Sequence, residues 1–344
     1  MNKETKYRIH TGVSVGEYQA LILRLYEQYP NVARSKVMEF EKAFSPENPF
    51  FRFAKVMNFY VYDSNDVVGH IAAIVDSRLG EIGIIGFFEC ENKQGYADCL
   101  FGEANKFLKD AGLKECRGPI NMNVWLNSRV SYPEDHQPFF LEPFTLMYYR
   151  ELFLNGGYVV DHQNITISES IEKTKIRNYE KYYSQSIADG YRYQTLTSEN
   201  AMECVHDIYA LTSTIFEGSY SFCKITEEEF LYFAEQYTKN HGQNYIFILK
   251  NADDVSVGFF FAMPDLFNHR EKSVVLKTMG LLPPYQGKNL GSAMLYFVYQ
   301  EAKRGGYERL ISSTMSVDNN RILSIADQNT VPYRKYEVFK KELL

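Results

Sequence analysis

Apolar positions along the chain fall into short blocks whose spacing switches between that of a strand and that of a helix. Residues 15–29 carry Leu21, Ile22 and Leu25 on one helical side. Two blocks with strand character follow at 54–62 and 67–75. Ser64, Asn65 and Asp66 between them are turn formers, so the pair is expected to fold back as a hairpin. A third strand-like block at 83–89 leads into a stretch where Ala97, Leu100, Phe101, Ala104, Leu108 and Ala111 form one apolar stripe. Gly112 stands where a helix cap belongs.

The second half runs through the same order. A strand is predicted at 191–196 and helices at 201–215 and 227–239, the latter opened by Thr226 and Glu229 in capping-box spacing. Blocks at 245–250 and 255–262, split by Asn251, Ala252, Asp253 and Asp254, predict a second hairpin. Residues 273–282 predict the next strand, and a helix follows over 290–304, ended by Gly305 and Gly306. Laid over one another without gaps, Gly86 meets Gly280, Ala97 meets Gly291, Leu100 meets Met294, Ala104 meets Val298 and Gly112 meets Gly306. This reads as an internal duplication of one strand-turn-helix-strand unit. Between the halves, residues 167–185 carry Glu169, Glu172, Lys173, Lys175, Arg177, Glu180 and Lys181 and read as a connecting helix. The expected organisation is a domain over 1–165, a linker helix over 166–190 and a second domain over 191–344.

Composition allows this. Of 344 residues, 45% are hydrophobic and 23% charged, enough for two sizeable cores. The 27 tyrosines and 25 phenylalanines suit β-rich cores with aromatic cross-strand pairs. A net charge of −6 argues against a nucleic-acid partner, and Arg334, Lys335, Lys340 and Lys341 read as a solvated strand edge. The cysteines are Cys90, Cys99, Cys116, Cys204 and Cys223, with no CxxC and no zinc spacing, so no metal site is expected and a reducing compartment is. The N-terminus is charged, and no apolar run approaches the roughly 18 residues of a membrane span. A cytoplasmic monomer or homodimer without a membrane partner is the expectation.

Residues 279–293 carry the chemistry. A strand ends at Pro283 and Pro284, a tight turn with Gly287 and Asn289 follows, and Gly291 and Ser292 open a helix. Such a turn leaves backbone N–H groups unpaired at the positive end of a helix, which makes an anion site. Gly291 has no Cβ to obstruct a phosphate, Asn289 tolerates left-handed backbone, and Lys288 adds charge at the mouth. The segment resembles motif A of the GNAT N-acetyltransferase superfamily, Gln/Arg-x-x-Gly-x-Gly/Ala. Gln286 and Gly291 match, and Asn289 stands where the family usually has its first glycine. Leu281, Leu282, Pro283, Pro284 and Tyr285 are similar to the strand end that precedes the motif, and the order of elements over 191–344 is the family's order.

The resemblance implies an α/β (α+β) fold of two GNAT-like domains, each a mixed, mostly antiparallel twisted sheet flanked by helices. It implies acetyl-CoA as cofactor. The backbone of Gly280, Leu281 and Leu282 would meet the pantetheine arm. Gln286 and the N–H groups of Gly287, Lys288, Asn289, Leu290, Gly291 and Ser292 would hold the pyrophosphate, and the strand over 309–315 would splay to admit the thioester. The implied chemistry is direct attack on the thioester by a primary amine of a small molecule or peptide, with a base, oxyanion donors and an acid. Asn320 resembles the asparagine that often starts the family's last helix, and equally a simple helix cap. The family's acid tyrosine would fall near Ile325, Ala326 and Asp327, where none stands; Tyr333 and Tyr336 further on are the candidates. Glu217 and Asp265 are the base candidates, and residues 336–339 alternate like the family's final strand.

In the first half the counterpart of the turn runs from Asn92 to Ala97, and Cys90 and Glu91 place a carboxylate where phosphate should approach. That copy reads as degenerate, structural or substrate-gripping, with Gly118, Pro119, Ile120 and Asn121 as a shaped loop. Together the halves resemble tandem-GNAT proteins, among them mycothiol synthases, N-myristoyltransferases and peptidoglycan-bridge aminoacyltransferases. The leading expectation is an acyl-CoA-dependent N-acyltransferase. The alternatives are an aminoacyl-tRNA-dependent transferase of the bridge-forming kind and a non-catalytic CoA-binding module.

Overall fold

In the computed structural model the described residues are 7–133, 137–197, 200–239, 245–268, 271–319, 323 and 332–343. Contacts divide the chain into two units. The first holds Met1–Pro138, Pro143–Gln163 and Lys335–Leu344; the second holds Phe139–Glu142 and Asn164–Arg334.

The first unit opens with β1 (Arg8–Thr11), α1 (Val15–Leu25) and α2 (Pro30–Ala43). The predicted hairpin follows as β2 (Ala54–Asp63) and β3 (Asp66–Asp76), closed through Ser64 in left-handed conformation. Next come β4 (Ile82–Cys90), α3 (Gln94–Asp110), β5 (Glu115–Gly118), β6 (Val130–Tyr132) and α4 (Tyr149–Asn155). The apolar stripe Ala97, Leu100, Phe101, Ala104 and Leu108 of α3 is buried, and Gly112 caps with φ +84. Antiparallel ladders run β1-β2-β3-β4, and β5 joins β4 in parallel.

The strand beside β5 comes from residues 334–342. Strand β13 (Arg334–Glu342) pairs antiparallel with β5 and with β6. The sequence assigned residues 336–339 to the second half as its final strand. These residues do form a strand, but all four are buried and they pair with strands of the first unit, because a strand-like pattern does not name its neighbour.

The second unit begins within β7 (Val159–Ser170), whose residues from Asn164 onward belong to it. This strand takes the front of the stretch read as a connecting helix. Thr166 and Ile167 are buried in it, and the expected helix is realised only from Lys175 onward, as a 3-10 turn over Lys175–Tyr179 followed by α5 (Glu180–Ala188). The charged residues dominated the sequence pattern, and the β-branched Ile165, Thr166 and Ile167 decided the structure. Then follow β8 (Arg192–Thr195), α6 (Ala201–Ile215), α7 (Glu227–Lys239), β9 (Tyr245–Lys250), β10 (Ser256–Pro264), β11 (Ser273–Leu281), α8 (Leu290–Arg304) and β12 (Arg309–Ser316). The capping box forms: Glu229 N donates to Thr226 Oγ1 at 3.2 Å, and Thr226 N donates to Glu229 Oε2 at 2.7 Å.

The sheet order is β7-β12-β11-β10-β9-β8, antiparallel except for β11 with β12. Alternation along the strands sends side chains to two layers. Val274, Leu276, Phe260 and Leu310 pack with Met294, Val298 and Ala302 of α8. Ile248 and Phe259 pack with Cys204 and Leu211 of α6. Val275 and Ile311 meet Phe139. Among the described residues no helix is long and apolar enough to cross a membrane.

Candidate active site

Strand β11 keeps two neighbours for only part of its length. Its parallel ladder with β12 spans Ser273 to Leu276 opposite Arg309 to Ser312. Its antiparallel ladder with β10 continues to Leu281 opposite Gly258. The register of that ladder shifts between Phe261 and Ala262, so Lys277 bulges, and its Nζ donates to Leu141 O at 2.8 Å. Strand β12 instead follows β7 as far as Ser316 opposite Asn164, with its own register shift after Ser312. The two central strands therefore part beyond Leu276 and Ser312, as the splaying expected of 309–315 requires.

The turn lies directly beyond. Leu282 N donates to Val257 O at 2.9 Å, which ends the strand, and a short 3-10 turn covers Pro283–Tyr285. Gln286 Nε2 donates to Leu281 O at 3.0 Å and fastens the turn to its own strand. Gly287 has φ +76, and Asn289, the residue before α8, has φ +60. The left-handed role expected of Asn289 is what the backbone shows. Ala293 N takes Asn289 O at 3.0 Å as the first helical bond, so the preceding N–H groups point out of the helix end. Gln286, Gly287, Lys288 and Asn289 are exposed. No atom lies within 4 Å of a Cβ built on Gly287, and at Gly291 the nearest is Met279 Cε at 3.5 Å. Lys288 Nζ sits 5.3 Å from the Tyr285 ring.

Gly280 has a second purpose that the motif does not reveal. A Cβ there would stand 2.5 Å from Ile215 Cγ2, so the missing side chain lets the end of α6 close on β11. Glu217 is exposed just past that helix end.

The other acid–base candidates are occupied elsewhere. Asp265 is buried and accepts the N–H groups of Phe140 at 2.8 Å and Phe267 at 3.0 Å, which gives it a structural task. Tyr333 packs near Phe139, and burial pushes its phenol up to about 12, with Glu142 adding to the shift. Asp265 and Arg309 also act on it. Both belong to the starting end of β11, since Asp265 N donates to Ser273 O and Ser273 pairs with Arg309. The turn is at the other end. Tyr336 is fully buried in β13 of the first unit, opposite Ser131. Asn320, Ile325, Ala326 and Asp327 lie outside the described residues.

Sequence reasoning missed Phe139–Glu142. These four residues are separated from the rest of the second unit by α4 and the front of β7, yet Phe139 joins its core and Glu142 forms a buried ion pair with Arg334. Nothing in a linear pattern marks such a segment.

Among the described residues of the first unit the corresponding turn is shorter. From β4 to α3 the chain uses only Glu91, Asn92 and Lys93, against residues 282–289 in the second unit. Ile82 pairs with Glu115 where Ser273 pairs with Arg309, so strand and helix follow different offsets and the gap-free overlay does not hold. Lys93, at the start of α3, is extended at φ −147, and Glu91 pairs with Arg24 at 2.9 Å. The opening beside β4 is filled by the chain itself. Ile120 N donates to Ile85 O at 2.8 Å, and a Cβ on Gly86 would meet Ile120 O at 2.1 Å.

This fold and turn define a class. Residues 205–324 match the model of the acetyltransferase (GNAT) family, and the second unit is a GNAT domain. Over its whole length the chain shares its fold with a solved tandem GNAT protein from the clavulanic acid biosynthesis pathway, at 12% identity, with 98% of this chain and 99% of that one covered and a TM-score of 0.62. A GCN5-related N-acetyltransferase from Sphaerobacter thermophilus aligns over 98% of this chain and 96% of its own at 11% identity and TM-score 0.55. One from Anabaena variabilis aligns over 98% and 73% at 10% identity and TM-score 0.57. Among curated protein sequences no match is found.

Proposed function

We propose that the protein is an acyl-CoA-dependent N-acyltransferase that binds acetyl-CoA in its second unit and acylates a primary amine of a small molecule or peptide. The observation that carries this reading is the parting of β11 from β12 immediately before a turn that holds two left-handed residues at a helix N-terminus. The residues present fit the cofactor. The turn is exposed, has open space at Gly287, and leads into the N-terminus of α8, whose first N–H groups have no intrahelical partner and are what a diphosphate needs. Lys288 adds a positive charge, and Gln286 acts indirectly by closing the turn on Leu281 O. The edge of β11 over 277–281, left by β12, offers backbone groups to an extended amide-bearing chain such as pantetheine.

When bound, acetyl-CoA supplies the acyl group as an activated thioester. The chain's own residues orient it and handle the proton of the amine. Glu217 is the base candidate this geometry favours. It follows Ile215, which packs on Gly280 at the strand end, and its carboxylate is exposed to solvent. The test is thiol release from acetyl-CoA in the presence of a panel of primary amines. Glu217→Gln is expected to lower kcat by about 100-fold while acetyl-CoA still binds, a typical effect of removing a general base. Wild-type protein that binds acetyl-CoA and acylates no amine would favour the non-catalytic module instead.

A further inference from the structure

Two local costs coincide where β12 leaves β11. Thr314 has φ +51, a left-handed backbone that a β-branched residue adopts only under constraint. The neighbouring Ser313 hydroxyl is buried, at 5% exposure of the residue, without a hydrogen-bond partner. Both follow Ser312, the last residue of β12 paired with β11. Unfavourable local geometry of this kind persists where its surroundings impose it.

The surroundings are two side chains of β7. Thr166, fully buried, accepts the Thr314 N–H through Oγ1 at 3.1 Å. Asn164, 3% exposed, donates Nδ2 to Thr314 O at 3.0 Å. Both backbone groups of the kinked residue are thus held by side chains, in a stretch where regular pairing of β12 with β7 is interrupted between Ser312 and Met315.

We propose that Thr166 and Asn164 are positioning residues that hold Thr314 in its left-handed kink and so keep open the gap between β11 and β12 that receives the acyl end of the cofactor. This rests on the acyl-CoA reading above. Without the clamp, Thr314 relaxes to an extended backbone, β12 closes toward β11, and the open form must be recovered at the expense of binding. The turn at 282–292 is bonded separately, through Val257, Leu281 and Asn289, and is not affected.

The experiment compares acetyl-CoA with phosphoadenosine diphosphate, the nucleotide half of the cofactor, which reaches the turn and not the gap. Calorimetry on the full chain is expected to show Thr166→Val binding acetyl-CoA about tenfold more weakly, as loss of a bond to a buried N–H implies. Its affinity for the nucleotide half should be unchanged, which also shows that the variant is folded. Thr166→Ser keeps the hydroxyl and should bind both ligands as wild type does. In the double variant Thr166→Val with Thr314→Gly the kink needs no clamp, because glycine adopts it freely, and acetyl-CoA affinity should return. Thr166→Val binding acetyl-CoA like wild type, or loss without rescue by glycine, would overturn the clamp while leaving the acyl-CoA reading intact. Wild-type protein that binds neither ligand would remove that reading and the clamp with it.

Discussion

Replacing Gly291 by valine separates binding from folding in a way the structure makes quantitative. Gly291 is the second residue of α8, and a Cβ built there meets Met279 Cε at 3.5 Å and Leu281 Cδ1 at 4.0 Å, both ordinary contacts with flexible side-chain ends. Valine is also a somewhat better helix former than glycine, so the free variant should match wild type within about 0.5 kcal/mol. The added methyl groups stand where an anion must approach the helix N-terminus. Losing one or two charge-assisted bonds, each worth roughly 1.5–3 kcal/mol, weakens binding about a hundredfold or more. In a thermal shift assay with acetyl-CoA at about 100 times the wild-type Kd, wild type gains about 2.7 kcal/mol. For a unit of this size that raises Tm by about 5–10 °C. The variant, with Kd near the ligand concentration, gains only about 0.4 kcal/mol, or about 1 °C. An unchanged shift in Gly291→Val, with unchanged Tm in the free form, would refute the placement of the pyrophosphate.

Titration calorimetry should give a stoichiometry near one acetyl-CoA per chain, because the first unit has only Glu91, Asn92 and Lys93 between β4 and α3, and Ile120 fills the adjacent gap; a stoichiometry near two would contradict this. Stability should also fall early on acidification. His70 is fully buried between Phe87 O and Asn58 Oδ1, and burial lowers it to about 3 from its ordinary 6.5. The unfolded chain therefore takes up a proton that the folded chain resists, so this contribution is complete above about pH 6.5 and is lost as pH falls toward about 3. Denaturant midpoints that stay flat between about pH 7 and pH 5 would speak against it.

Local chemistry was legible in the sequence and long-range placement was not. Both hairpins, the α3 stripe, the Thr226–Glu229 cap and the turn with Asn289 in left-handed backbone depend on residues within a few positions of one another. The pairing of β13 with β5, the insertion of Phe139–Glu142 and the use of Gly280 to admit Ile215 each depend on segments far apart in the chain. The gap-free overlay shows how the two mix. The amphipathic helices set its offset, and the longer connection over 282–289 showed only when the strands were paired. For acid–base candidates the decisive facts were burial and occupied hydrogen bonds, as at Asp265 and Tyr336, which residue type alone does not carry.

The central claim is that acyl-CoA binds along β11 and at the turn before α8. A crystal structure of the protein with acetyl-CoA tests it most directly. The pyrophosphate is predicted within hydrogen-bond distance, roughly 2.7–3.2 Å, of N–H groups between Gly287 and Ser292, with the thioester between β11 and β12 beyond Leu276 and Ser312. Cofactor found beside Glu91–Lys93 of the first unit, or a turn that stays empty at saturating acetyl-CoA, would contradict it.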